Sequence, residues 1–227
     1  MAERLATWVW VGAAALASVA GIVNVVGFLG FQQQAVTHLT GNTSLLAAAL
    51  VGGKPGLAIG LGAMLAAFVG GAMLSGLIVQ DSTLRLGRRY GVVLTIESLM
   101  LLAAVPLFRQ QHLAGPILAA MACGLQNAMA TTYSGALVRT SHVSGMFTDL
   151  GIMLGHAVRG LPLSQRRLAL CALVTCFFFL GGIAGAWLFG WLGYAALYLP
   201  AALTGGTGLG YFLYRQLTLR RPPGPPL

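Results

Sequence analysis

Long apolar stretches alternate with short polar ones along the 227-residue chain. A helix needs about 20 predominantly apolar residues to cross a bilayer, and six stretches have roughly that length. They are residues 8–30, 56–79, 90–108, 115–138, 168–191 and 196–214. The pattern predicts six membrane-spanning helices. The first stretch is longer than the apolar core of a cleaved signal peptide, so we expect it to remain as a span.

Two further apolar stretches, residues 44–51 and 146–155, are too short to cross a membrane. Each follows a polar cluster, THLTGN in the first case and TSHVSG in the second. Non-helical backbone at membrane depth is tolerated only where it is buried in protein or lines a water-filled cavity. We therefore predict two re-entrant segments, with the backbone unwound at Gly41 and Gly145. The expected fold class is an all-α polytopic membrane protein.

The composition agrees with a membrane location. The chain is 57% hydrophobic and 7% charged, whereas soluble domains carry about a quarter charged residues. A net charge of +9 would suggest nucleic acid as the partner of a soluble chain, but here the arginines cluster in short loops, where they set orientation. If both short segments re-enter, the Arg-rich loops fall on one side. This predicts cytoplasmic termini, a bacterial inner-membrane location and no nucleic-acid partner.

Three short motifs recur in the same order along the chain. They are THLTG (37–41) with SHVSG (141–145), GIVN (21–24) with GLQN (124–127), and FVGG (68–71) with FLGG (179–182). Three matches in register indicate an internal duplication. Each half, about 1–110 and 111–222, would hold three spans and one re-entrant segment, and an odd number of crossings inverts the second half, as in many transporters.

The same pattern predicts the domain organisation. Residues 1–222 would form a single transmembrane domain, and residues 223–227 a disordered proline-rich tail. The lipid bilayer is thus an expected partner, and association of several copies stays open.

The two polar clusters are expected to meet near the middle of the membrane and to bind a solute. The candidate substrate-binding residues are Asn24, Thr37, His38, Thr40, Asn42, Gln126, Asn127, Ser141, His142 and Ser144. Neutral imidazole carries protons or binds ligands, but each histidine has an alternative role as a hydrogen-bond partner of a helix end. The buried amides have an alternative role in joining helices.

Asp149 is a candidate coupling site, because an acid within an apolar helical segment is rare and marks function by default. His142, Asp149 and His156 are seven residues apart and would form one stripe on a continuous helix, so His156 joins Asp149 as a coupling candidate. The alternative for Asp149 is a structural pairing with Arg139 or a backbone amide. Glu97 is another acid in an apolar stretch and has no counterpart in the second half.

Metal and cofactor sites are not expected. No cysteine or carboxylate lies at ligand spacing from His38, and the three cysteines form no CxxC pair, which favours small buried hydrophobic roles. Small residues four apart, Gly71 with Ser75 and Gly181 with Gly185, predict close helix contacts.

The stretches GIVNVVGFLGFQQQAVTHLTGNTSLL and ACGLQNAMATTYSGALVRTSHVSGMFTDLG resemble the YoaK-like family of uncharacterised bacterial inner-membrane proteins. The resemblance covers nearly the whole chain apart from the tail. It implies a polytopic membrane protein without an assigned activity. Ser144 stands where the family more usually has threonine.

The leading functional hypothesis is a small-solute transporter or channel with its pathway between the two clusters, with proton coupling as an option. Helix N-termini after the clusters favour an anionic or polar neutral solute, whereas Asp149 favours a cation or a coupling proton. The alternatives are a noncatalytic assembly or scaffold protein and, less favoured, an intramembrane enzyme acting on a lipid-linked substrate. An enzyme is not expected, because the chain has no nucleophile motif or paired carboxylates.

Overall fold

The structure is a computed structural model that describes residues 7–31, 34–79, 88–134 and 139–219; side chains are described up to residue 213, with that of residue 88 also left out. This part of the chain forms eight α-helices and one short 3-10 helix. The helices are α1 (Thr7–Gly30), α2 (Leu39–Val51), α3 (Pro55–Ile78), α4 (Arg88–Arg109), α5 (Ala114–Tyr133), α6 (Val143–Val158), α7 (Gln165–Leu192), the 3-10 helix (Gly193–Leu197) and α8 (Tyr198–Leu219).

Helices occupy all six stretches for which the sequence predicts spans, namely α1, α3, α4, α5, α7 and α8. Four stretches of the described chain are long and apolar enough to cross a membrane. They are Thr7–Gly30, Pro55–Ile78, Arg89–Arg109 and Gln165–Leu213, the last of which runs through α7, the 3-10 helix and most of α8. Helix α5, which carries Gln126 and Asn127, is not among the four. The all-helical membrane class is confirmed, and six separate spans stay a prediction.

Helices α2 and α6 are too short to cross. They have 13 and 16 residues, which at about 1.5 Å per residue correspond to about 20 and 24 Å, short of a hydrocarbon core of roughly 30 Å. Both helices begin earlier than the predicted segments, at Leu39 and Val143. The prediction of unwound backbone at Gly41 and Gly145 is therefore wrong, because both glycines lie in the first helical turn.

The long helices pack in pairs that join the two halves of the chain. Helix α1 lies along α7, α3 along α5 and α4 along α8, while α4 also packs on α5. The short helices pack within their own halves, α2 on α3 and α6 on α7. One buried cluster accordingly combines side chains of α1, α3, α4, α5 and the 3-10 helix. The proline-rich tail, 223–227, lies outside the described residues.

Glycines allow the backbones of the paired helices to touch. A Cβ at Gly21 would meet the Phe178 carbonyl of α7, and one at Gly181 would meet the Ser18 carbonyl of α1. On the other pair, a Cβ at Gly71 would meet the Met121 carbonyl. The close contacts predicted at Gly71 and Gly181 are therefore present.

Candidate functional site

A cavity of about 820 Å³ lies where the two polar clusters meet. Its wall is formed by α1 and α5, by Phe68 near the middle of α3 and Phe178 near the middle of α7, and by the segments that lead into α2 and α6. Eight of the ten predicted binding residues line it. They are Asn24, Thr37, His38 and Thr40 from the first half and Asn127, Ser141, His142 and Ser144 from the second.

Asn24 fixes the segment before α2 to helix α1. Its side-chain carbonyl accepts one hydrogen bond from the Thr37 backbone N–H at 2.9 Å and another from the Thr37 hydroxyl at 2.8 Å. Both interactions hold the chain just before His38 in place. The expected joining role of a buried amide therefore applies to Asn24, which also faces the cavity.

Asn127 occupies the corresponding place on α5 but differs in its bonding. Its side-chain oxygen Oδ1 is shielded from solvent and has no hydrogen-bond partner within the described residues. A shielded acceptor without a partner costs free energy, about 1–3 kcal/mol in soluble proteins. The two halves thus contribute matching amides to the cavity. The oxygen of Asn24 accepts hydrogen bonds from Thr37, whereas the oxygen of Asn127 has no partner among the described residues.

Each histidine folds over the first turn of the helix that follows it. A Cβ at Gly41 would meet the His38 ring, and a Cβ at Gly145 would meet the His142 ring. His38 and His142 are the N-cap residues of α2 and α6, yet neither side chain makes a capping hydrogen bond. The glycines are explained by the space that the imidazole rings occupy. The alternative role of each ring as a hydrogen-bonding cap is wrong.

Two predicted binding residues do not reach the cavity. The Asn42 side chain is 1% exposed and donates to the Ala35 carbonyl at 3.0 Å. The Gln126 side chain is also 1% exposed and donates to the Leu16 carbonyl on α1 at 2.7 Å. Both amides are turned toward backbone that they hold together, which removes them from the solute site.

Asp149 and His156 lie on α6 outside the cavity lining. Asp149 pairs with Arg167 at the start of α7, with 2.9 Å between oxygen and nitrogen. The alternative of a structural pairing therefore applies, with Arg167 in place of Arg139. Arg167 belongs to the helix against which α6 packs. His156 is exposed on the last turn of α6. A coupling role for either residue stays a prediction.

Some lining residues were missed from the sequence. Arg139 lines the cavity two positions before Ser141, although its charge alone had suggested a membrane boundary. Thr131 and Thr132 also line it, one turn beyond Asn127 and Ala128, and their hydroxyls donate to the carbonyls of those two residues at 2.7 and 2.9 Å. Thr131 could have been predicted from the sequence, because a residue four positions after Asn127 lies on the same face of a helix.

Aromatic side chains complete the wall. Phe28, Phe68, Phe147 and Phe178 line the cavity beside the polar groups. Among the described residues no group of three or more His, Cys, Asp or Glu side chains could hold a metal ion. Cys123 and Cys171 are buried as expected, whereas Cys176 is exposed on α7, so its expected burial is wrong.

Apolar helices of membrane-crossing length around a cavity lined by hydroxyls, amides and imidazoles define an all-helical membrane protein. Residues 12–210 match the family described as "Protein of unknown function (DUF1275)", and the chain belongs to that family. The resemblance to YoaK-like proteins is consistent with this membership. No curated protein and no solved structure matches the chain.

Proposed function

We propose that the protein is a transporter or channel for a small polar or ionic solute, which binds in the cavity between the two polar clusters. The observation that carries the proposal is the lining of that cavity. Matching amides, hydroxyls and imidazoles from distant parts of the chain converge there, in a protein whose remaining helix surfaces are largely apolar. A volume of about 820 Å³ lies within the range of ligand sites, roughly 300–1,000 Å³.

We also include an inverted duplication in the proposal, and helix packing supports it. If α1 to α4 correspond to α5 to α8, the counterpart of the pair α1 and α7 is the pair α5 and α3, which is also observed. The short helices also agree, because each packs on the long helix that follows it and each is followed by a glycine with positive φ, Gly53 at 61° and Gly160 at 69°.

Two glycine contacts indicate more closely which residues correspond in the two halves. The Phe68 carbonyl faces Gly124, and the Phe178 carbonyl faces Gly21. Gly21 and Gly124 correspond in the repeated motifs, so the counterpart of Phe68 is Phe178 rather than Phe179. The sequence comparison had placed this last motif one residue too far along.

The last helix of each half, α4 or α8, contacts the first helix of the other half to a different extent. This inequality favours a carrier over a channel. Helix α4 packs closely on α5, but the corresponding contact between α1 and α8 is sparse. A second cavity of about 290 Å³ lies there, lined by Trp8, Tyr90, Thr204 and Tyr211 among others. Inverted repeats with unequal contacts are suited to alternating access, in which one arrangement converts to its mirror by rocking. We include six spans, cytoplasmic termini and an inner-membrane location in the proposal.

The proposal is tested by solute flux into proteoliposomes that contain the full chain. A panel of anions, cations and neutral polar solutes is measured with and without a pH gradient. We expect uptake of at least one solute class, and a reduction of that uptake by more than tenfold in His38→Ala. The control is His112→Ala, which removes an exposed imidazole between α4 and α5, outside the cavity, and should leave uptake unchanged. No uptake across the whole panel by correctly folded protein would contradict transport.

A further inference from the structure

The charge of the cavity wall is the first of three observations that narrow the solute class. Arg139 lines the cavity, and none of its described lining residues is an aspartate or glutamate. Of the four acids in the chain, Glu97 is buried in α4 and Asp149 pairs with Arg167. Glu3 and Asp81 lie outside the described residues. The described wall therefore carries a positive charge and no compensating negative one.

The backbone adds to this positive potential. Helices α2 and α6 both begin at the cavity, where Leu39 and Thr40, and Val143 and Ser144, form part of the wall. The first N–H groups of a helix lack partners within the helix, and its N-terminus has a positive partial charge. Neither first turn contains an acid, and neither cap side chain accepts a hydrogen bond from it. Two helix N-termini without side-chain caps thus accompany Arg139.

The third observation is the apolar part of the wall. Phe28, Phe68, Phe147 and Phe178 line the same cavity, and Phe147 is 60% exposed. A cavity of about 820 Å³ is much larger than a hydrated inorganic ion needs. Burying apolar ligand surface against these rings is favourable at about 25 cal/mol per Å².

From these observations we infer that the cavity binds a small organic monocarboxylate whose carboxylate lies near Arg139 and whose apolar body lies against the phenylalanines. This inference rests on the proposed solute site and names its ligand class. The carboxylate matches the guanidinium in charge and geometry. The N-termini of α2 and α6 stabilise the same charge.

The test compares three probes of nearly equal shape on the purified full chain in detergent. Benzoate, benzamide and benzylammonium carry one negative, no and one positive charge at neutral pH. Binding is measured by isothermal titration calorimetry and by the shift of the melting temperature. We expect benzoate to bind at least tenfold more tightly than the other two. Equal binding of all three, or a preference for benzylammonium, would overturn the inference.

Two variants separate the contributions of charge and apolar surface. Arg139→Gln should weaken benzoate binding by about tenfold or more, and Arg159→Gln, the same change beyond the end of α6, should not. Phe147→Ala should weaken benzoate binding and leave acetate binding unchanged. If Arg139→Gln fails to fold, the comparison of the three probes on the unaltered chain still decides the charge preference.

Failure of this inference is distinguishable from failure of transport. Binding in detergent needs no flux, so benzoate binding without uptake of any solute would retain the anion site and reject transport. Uptake of a neutral or cationic solute without benzoate binding would retain transport and reject the anion site. Binding of acetate and benzoate with equal affinity would overturn the apolar part of the inferred ligand.

Discussion

The pairing of an imidazole with a glycine is the smallest feature that both polar clusters share. His38 covers Gly41, and His142 covers Gly145, in each case across the first turn of a helix. From the sequence, Thr, Gly and Asn at these positions indicate a break, because they have low helix propensity. The structure instead has a helix that begins directly after the histidine, with the ring filling the space that a side chain would occupy.

This packing predicts different effects for two substitutions in α6. Alanine favours a helix over glycine by about 0.8–1 kcal/mol, and nothing lies within 4 Å of a Cβ at Gly151. Gly151→Ala should therefore raise the melting temperature slightly. Gly145→Ala should give no such gain, because the new methyl group must displace the His142 ring. Thermal unfolding of the purified variants measures both.

A double substitution provides the control for this prediction. His142→Ala removes the ring, so adding Gly145→Ala to it should cost nothing and is expected to raise the melting temperature, as at Gly151. If Gly145→Ala alone stabilises the protein as much as Gly151→Ala does, the ring does not occupy the position described.

The sequence predicted most of the polar residues in the cavity wall. It did not show that two predicted amides lie outside the wall or that an arginine belongs to it. Positions such as Asn24 and Asn127 could be found because the motif recurs. Asn42 and Gln126 could not be separated from them, since the direction of each amide depends on a carbonyl that it reaches in the folded chain. For Gln126 that carbonyl belongs to Leu16, which is 110 residues away. Arg139 was missed because charge near an apolar stretch usually marks a membrane boundary.

At the scale of helices, contact is determined by single glycines rather than by glycine-rich stretches. Gly70 and Gly71 are neighbours in α3, but only Gly71 faces the backbone of α5; nothing lies within 4 Å of a Cβ at Gly70. Spacing of small residues predicted this face correctly through Gly71 and Ser75.

A matched pair of substitutions tests the contact. Gly71→Leu should reduce the yield of folded protein severely, because its side chain would collide with the Met121 carbonyl and with Leu125. Gly70→Leu should be tolerated, since its side chain points into open space at the helix surface. Size-exclusion profiles and melting temperatures in detergent measure the difference. Equal behaviour of the two variants would show that α3 and α5 do not approach as described.

Helix positions were predicted within a few residues, whereas helix partners were not. The apolar stretches gave all six long helices, because length and hydropathy are local properties. Which helix packs on which depends on surface shape, and that is fixed by residues from both partners. The exchange of partners between halves, α1 with α7 and α3 with α5, was therefore not visible in the repeated motifs.

At the scale of the whole molecule, the proposed inverted duplication makes a prediction about sidedness. Lys54 follows α2 and Leu161 follows α6, at corresponding places in the two halves, and both are exposed. If the two halves are inverted, these two residues lie on opposite sides of the membrane. Cysteines introduced at Lys54 and Leu161 in a chain without its native cysteines should react with a membrane-impermeant maleimide from opposite sides, Lys54→Cys from the periplasm. Labelling of both from one side would contradict the inverted arrangement.

The exchange of partners between the halves also affects assembly during synthesis. Helix α1 is made first, yet the surface around Gly21 is completed only by α7, and α3 waits for α5 in the same way. Until those helices are made, the glycine surfaces of α1 and α3 lack the partners that they have in the complete chain. Folding therefore cannot proceed half by half as the chain leaves the ribosome. We therefore expect the native core to form only after α7 has been made, and a chain terminated before α7 to be degraded faster than the full chain.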